Sequence, residues 1–184
     1  MTETKRVLVP MAPGFEELEA VTIIDVLRRA GLQVTTAGLN DIAVAGAHNI
    51  RIECDTVLSA VEEEWDAIVL PGGLPGSNHL RDDDQLKSLL KANVEAGRKV
   101  AAICAAPIAL EAAGVLKDRR ATSYPGFGEQ MSSATYVEDA VCIDGPITTS
   151  RGPGTALRFA LALVAQLVDE ETAQNLSEGM LAKV

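Results

Sequence analysis

Few residues in this chain are equipped for chemistry: among 184 there are three cysteines and two histidines. Cys104 has the most suggestive setting. A short apolar run of strand character, Val100 to Ile103, stops at it, and Ala105, Ala106 and Pro107 then open a second apolar stretch, Ile108 to Ala113, that reads as a helix. A strand turning directly into a helix holds the corner residue in a tight, often strained conformation, with its side chain projecting from the sheet edge. The same geometry presents the serine of the G-x-S-x-G nucleophile elbow. Ala102 and Ala106 take the two glycine places here. A helix starting just after Cys104 would aim free N–H groups and the positive end of its dipole at the sulfur, lowering the thiol pKa. A buried structural cysteine fits the local pattern equally well, since free cysteine is among the most buried residue types.

A reactive thiol needs partners. Gly72 and Gly73, in Pro71-Gly72-Gly73, would supply backbone N–H groups to a developing oxyanion, because glycine permits both a tight turn and close approach. The N–H of Ala105, the residue after the nucleophile, is the usual second donor. The other reading of Pro-Gly-Gly is a plain turn. Glu16, Glu17 and Glu19 crowd the start of a helix, where carboxylates complement the dipole. Glu19 stands four residues before Ile23, along the edge of the buried face, where desolvation would raise its pKa and let it donate a proton to a thiolate. Periodicity does not choose among the three. His48 and His79 both precede Cys104, so an amidotransferase Cys-His-Glu triad with a later histidine is absent, as is a histidine directly after the cysteine. Neither G-x-G-x-x-G nor Walker A spacing occurs, and the cysteines show no zinc spacing. No cofactor and no metal are expected.

The elements that must position these groups alternate. Arg6 to Met11, Gln33 to Gly38, Ala67 to Leu70 and Val100 to Ile103 read as strands, the apolar runs among them as strands buried on both faces. Glu17 to Ala30 is a helix with Ala20, Ile23, Ile24 and Leu27 at one-face spacing, and Gly31 ends it. Asp83 to Ala96, Ala156 to Val168 and residues 170 to 181 are further helices. Val141 to Ile143 and Ile147 to Thr149 flank an Asp144-Gly145 turn, a hairpin signature. In residues 39 to 56, Val44, Ile50 and Ile52 suggest short extended pieces, a hairpin standing off the main sheet, and 119 to 136 are irregular. Such alternation implies an α/β fold, a mostly parallel sheet covered on both faces, whose ligands bind beyond the strands' carboxyl ends. The loops 12–19 and 71–76 and the Cys104 corner meet there, which favours a functional cysteine.

The length fits a single domain spanning residues 1–184. A net charge of −10 excludes duplex nucleic acid and anionic membrane surfaces as expected partners. Three sparse cysteines suit reduced thiols in a cytoplasmic setting. No apolar run reaches membrane-spanning length, and Pro10, Pro13 and the glutamates interrupt any signal-like core in the first 20 residues.

Leu70-Pro71-Gly72-Gly73, Ala101-Ala102-Ile103-Cys104-Ala105-Ala106-Pro107 and Thr149-Ser150-Arg151-Gly152-Pro153-Gly154-Thr155, in this order and spacing, resemble the ThiJ/PfpI superfamily. The branch is that of the parkinsonism-associated protein deglycase and bacterial YajL, and the similarity runs from the first strand to about Val168. The resemblance implies a flavodoxin-like three-layer sandwich with a nucleophile elbow, assembled as a homodimer. It implies that Cys104 is the oxidation-prone nucleophile and Glu19 the protonated glutamate beside it. Gly72, Gly73 and Ala105 would supply the backbone around the sulfur. Ser150 and Arg151 would line the pocket, with Arg29 and His48 among the basic groups near the dimer seam. It also implies an enzyme of the glyoxalase or deglycase type, acting on methylglyoxal, glyoxal or their adducts on glycated protein to give 2-hydroxy acids; the alternative is a redox sensor or chaperone-like stress protein. Two positions depart from the human relative. His48 replaces an arginine, and Tyr124 stands where that protein has its active-site histidine. A phenol titrates near pKa ~10 and makes a poor base at neutral pH, which leaves Glu19 as the proton carrier.

Overall fold

The computed structural model describes residues 4–61 and 64–182. The chain runs β1 (Arg6–Met11), α1 (Glu17–Arg29), β2 (Gln33–Gly38), β3 (Ala43–Ala45), β4 (Arg51–Glu53), β5 (Thr56–Val57), β6 (Ala67–Leu70), α2 (Gly76–Asp82) and α3 (Asp84–Glu95). It continues through β7 (Lys99–Ile103), α4 (Pro107–Ala112), β8 (Arg120–Ala121), β9 (Thr135–Tyr136), β10 (Val141–Asp144), β11 (Ile147–Ser150), α5 (Ala156–Leu167) and α6 (Glu170–Gly179).

One sheet in the order β10-β11-β7-β6-β1-β2-β5 forms the middle layer. All its pairs are parallel except β10 with β11. Strand alternation divides the apolar runs between two cores. Val7, Val9, Met11, Ala101 and Ile103 pack with α1, α5 and α6. Leu8, Ile68, Leu70, Val100 and Ala102 pack with α2, α3 and α4. Burying one large apolar side chain contributes about 1.5–3 kcal/mol, so runs buried on both faces hold the central strands rigidly. The result is the mostly parallel, doubly covered sheet that the alternation of elements implied, a flavodoxin-like three-layer sandwich as the resemblance implied. Asp83 caps α3 by accepting the Leu86 amide at 2.7 Å, and Asp169 caps α6 through Thr172 at 2.7 Å. Among the described residues no helix is long and apolar enough to cross a membrane.

Two segments differ from the sequence expectation, and a third, residues 39–56, follows it. The 71–76 loop runs into a short helix, α2, whose polar sequence shows no apolar period. Residues 119–136 hold the two-residue parallel pair β8–β9, too short for any pattern. Residues 39–56 form the antiparallel hairpin β3–β4, which pairs only with itself, and then β5, which joins the sheet edge.

The chain crosses over to opposite sides of β1: β2 lies on one flank, β6 and β7 on the other. The carboxyl ends of β1 and β6 therefore open a crevice. Residues 12–16, 71–75 and 104–106 leave the sheet at that end.

Candidate active site

Strand β7 delivers the cysteine. Val100 to Ile103 are wholly buried, and the strand then breaks at Cys104, whose φ is +64°. A non-glycine residue is uncommon in the left-handed region and stays there only when its surroundings fix it. Here both neighbouring peptide groups are tied: the Cys104 N–H donates to the Ser150 carbonyl at 3.0 Å, and its own carbonyl accepts the Tyr124 N–H at 2.9 Å. Cys104 is half-buried, whereas Cys54 and Cys142 are buried.

Glu19 comes from the first turn of α1 and is completely buried. Its Oε2 accepts the Gly72 N–H at 2.8 Å. Oε1 has no hydrogen-bond partner among the described residues, and the carboxyl interacts with the Cys104 side chain. Burial, aided by the charge of Glu16, outweighs the Gly72 and Cys104 hydrogen bonds and raises its pKa to about 7. Burial, then the charge of Glu19, pushes the Cys104 thiol up to about 12, against hydrogen bonds from the backbone of Gly73 and Ala105.

That direction corrects the expectation of a thiol acidified by a helix N-terminus. Helix α4 has only six residues and starts at Pro107, so few peptide dipoles are aligned behind the sulfur. A buried carboxylate beside it acts more strongly. The sulfur and the carboxyl form one unit: ionising either raises the pKa of the other.

The two glycines divide their work differently from the expected pair of oxyanion donors. The Gly73 N–H faces the sulfur, but the Gly72 N–H is taken up by Glu19. Gly72 instead supplies space. A Cβ there would lie 2.6 Å from both the Cys104 Cβ and Glu19 Oε2, and 2.8 Å from the Ile103 carbonyl. Side chain, carboxyl and strand end can converge only because position 72 is bare.

The remaining candidates separate. Tyr124 is half exposed, and its ring covers Gly152, with Cδ2 3.2 Å from where a Gly152 Cβ would be; its backbone N–H is bonded to the elbow. The Ser150 hydroxyl does not line the site: it donates to the Ala140 carbonyl at 2.6 Å and shares a 2.7 Å hydrogen bond with Thr155 Oγ1. Only the Ser150 carbonyl serves Cys104. Arg151 is half-buried and reaches the Glu138 carbonyl at 3.4 Å. Arg29 is not brought to the site at all. It pairs with Asp25 at 2.7 Å on the solvent side of α1, at the end opposite Glu19. His48 sits on the β3–β4 loop, its Nδ1 2.9 Å from Glu17 Oε2 and 3.8 Å from Glu16 Oε2. Those three residues bring donor atoms within 4.8 Å of one another, but both Glu17 oxygens are already engaged by the amides and ring of the loop. Sequence reasoning named Glu17 only as one of three glutamates at the helix start and gave it no role, because its partners lie about thirty residues away and leave no local signal.

Comparison with known proteins gives this geometry a family. Residues 5–166 match the DJ-1/PfpI family. The chain is 45% identical over 185 residues to protein DJ-1 homolog A of Arabidopsis thaliana, covering 98% of this chain and 47% of that protein, so it spans about half the length of that relative. It is 36% identical over 179 residues to the glutathione-independent glyoxalase DJR-1.2 of Caenorhabditis elegans, covering 96% of each. The crystal structure of Drosophila melanogaster DJ-1beta superposes with a TM-score of 0.95 at 42% identity, covering 99% of this chain and 100% of that one. On the match over most of its length and on these relatives, the chain belongs to the DJ-1/PfpI family.

Proposed function

We propose that this protein is a cofactor-independent glyoxalase or deglycase-type enzyme, acting through Cys104 and Glu19 on methylglyoxal, glyoxal or their adducts. One observation carries the reading: a half-accessible cysteine at positive φ beside a fully buried carboxyl whose pKa is near 7. A relative bearing the glyoxalase name supports it.

The chemistry balances without an external oxidant. The thiol passes its proton to ionised Glu19 as sulfur attacks the aldehyde carbon, forming a C–S bond and an alkoxide. The backbone N–H groups of Gly73 and Ala105 steady the charge on the sulfur. Glu19, now protonated, gives its proton to the alkoxide and yields a hemithioacetal. Transfer of the C1 hydrogen, as a proton, to C2, with the C1 hydroxyl proton passing to the ketone oxygen, oxidises C1 to a thioester and reduces the ketone to an alcohol. Water cleaves the thioester, so methylglyoxal plus water becomes lactate and the thiol is regenerated. Glu19 suits both steps because its pKa lies near ambient pH. On adducts with protein amines or thiols the same attack would follow release of the carbonyl.

A second reading, redox sensing, is supported by accessibility alone: Cys104 is partly accessible while Cys54 and Cys142 are buried, and exposure is one of the two factors, with thiolate character, that make a thiol oxidise. The three free cysteines fit a cytoplasmic setting, and the apolar face of α1 fits a homodimer. A lactate assay on wild type beside Cys104→Ala decides between the readings. Turnover by wild type and none by the variant is expected. Turnover retained in the variant would overturn the enzyme reading, and a wild type that makes no lactate yet converts Cys104 to sulfinate under mild peroxide leaves the sensor.

A further inference from the structure

Glu17 is 5% exposed, an unusual place for a carboxylate in the first turn of a helix that faces solvent on its other side. Burying a charge is costly unless it is paired and hydrogen-bonded. The partners here come from one place, the loop of the β3–β4 hairpin. Glu17 Oε1 accepts the His48 amide at 2.6 Å and the Ile50 amide at 3.4 Å, and Oε2 meets His48 Nδ1 at 2.9 Å. Gly46 completes the fit, since a Cβ at that position would overlap the Glu17 carboxyl group.

We propose that Glu17 is the positioning residue of the Cys104 site: it clamps the β3–β4 hairpin onto the 12–16 loop, and that loop sets Gly72 and Gly73 against the sulfur. Two further bonds join hairpin and loop, Gly14 N–H to the Ala45 carbonyl and Ala47 N–H to the Phe15 carbonyl, both at 2.8 Å. On its inner side the loop grips the glycine turn. The Glu16 N–H donates to the Gly72 carbonyl at 2.8 Å, and Gly73 lies so close that a Cβ would be 2.6 Å from both the Gly14 oxygen and the Phe15 carbonyl carbon. Gly73 then directs its N–H to the sulfur and Gly72 its N–H to Glu19. The hairpin, which among the described residues pairs with no other strand, thereby has a role: it is a brace for the site, and Glu17 is its bolt.

The inference deepens the reading of Cys104 as a reactive residue, and its test has one readout that needs no turnover. Glu17→Ala removes all three contacts, whereas Glu17→Gln keeps an oxygen for the two amides and a donor for neutral Nδ1. Gly46→Ala attacks the clamp from the hairpin side. Each is measured by the rate of iodoacetamide alkylation at Cys104, read by peptide mass spectrometry across pH, and by lactate formation. Glu17→Ala and Gly46→Ala are expected to slow alkylation at pH 7 at least fivefold and lower kcat at least tenfold, with KM within threefold. Glu17→Gln is expected to stay within twofold of wild type. Wild-type alkylation in Glu17→Ala, or a loss in Glu17→Gln as large as in Glu17→Ala, would overturn the clamp. Should Glu17→Ala not fold, Gly46→Ala decides by the same two readouts. A wild type that makes no lactate defeats the proposed function but leaves the alkylation comparison intact.

Discussion

Glu17 and Glu19 stand two residues apart on one helix, both buried, and their protonation is driven in opposite directions. Burial raises both. At Glu17 the hydrogen bonds from the His48 side chain and the loop amides win and hold its pKa below the usual carboxylate value. At Glu19 one amide and one thiol do not suffice, and burial wins. The sequence placed Glu19 at the edge of the apolar face by its spacing to Ile23, but nothing local separated it from Glu17, because the deciding partners are Gly72 for one and the 46–50 loop for the other. The Glu19 carboxyl has a measurable signature in stability. Native protein holds its proton up to about pH 7, while the unfolded chain releases it near the ordinary glutamate value of 4.5. Between those values the native state binds more protons, so stability falls as pH rises through the window and the loss is complete above it, about 3 kcal/mol for this group. Glu19→Gln stays neutral throughout. Chemical denaturation of both proteins from pH 4 to 8 is expected to show the variant gaining on wild type by that amount, with groups common to both, His48 among them, cancelling in the difference. In turnover the sign reverses: kcat/KM of wild type should rise with an apparent pKa near 7 as the base ionises, and the variant should be inactive at every pH. A stability difference independent of pH would contradict the buried, late-ionising carboxyl.

At the scale of elements, β1, β6 and β7 were legible because a strand buried on both faces must be apolar without interruption. Helix α1 was legible from Ala20, Ile23 and Leu27, all of which are buried. The hairpin was half legible, its extended pieces evident but not its purpose, which depends on a side chain in α1. Helix α2 was invisible, with Leu80 alone among polar residues from Gly76 to Asp82. The Pro71-Gly72-Gly73 turn was legible as a place for close approach, though the expected function of Gly72 as a donor to the substrate was not what its geometry shows. Its bare Cα makes a sharp expectation possible. Gly72→Ala forces a methyl between Cys104 and Glu19, an overpacking that costs about 1–3 kcal/mol and a Tm loss of several degrees in a chain of this size. Gly154→Ala, on the turn after the Thr149–Arg151 segment, meets nothing within 4 Å and is expected to leave both Tm and activity near wild type. Differential scanning calorimetry with the lactate assay reads both; equal behaviour of the two variants would remove steric crowding as the reason for the glycine.

The whole molecule leaves one apolar surface uncovered beside the site. Leu18, Val21 and Ile50 are 64%, 50% and 57% exposed, and with Thr22, Glu16, Glu17 and His48 they line a groove of about 460 Å³. A contiguous exposed apolar patch with a polar rim marks an interaction surface, and the commonest partner of a soluble chain is its own copy through a two-fold axis. The outer face of α1 suits such self-pairing, apolar at Leu18 and Val21 and carrying the Asp25–Arg29 ion pair further along. Because Val21 contributes little to its own fold at half exposure, Val21→Asp tests the assembly without attacking the core. Sedimentation is expected to report twice the chain mass for wild type and the single chain mass for the variant, with an unchanged circular dichroism spectrum. The consequence for catalysis follows from position. Ile50 belongs to the loop whose amides Glu17 holds, so a partner seated on Leu18, Val21 and Ile50 would press the hairpin against α1 and steady the Gly72–Gly73 turn behind it. The monomeric variant should therefore lose severalfold in lactate formation although no catalytic group has changed. A wild type that sediments as one chain would refute the assembly, and a Val21→Asp monomer with full turnover would show that the hairpin holds the site without a partner.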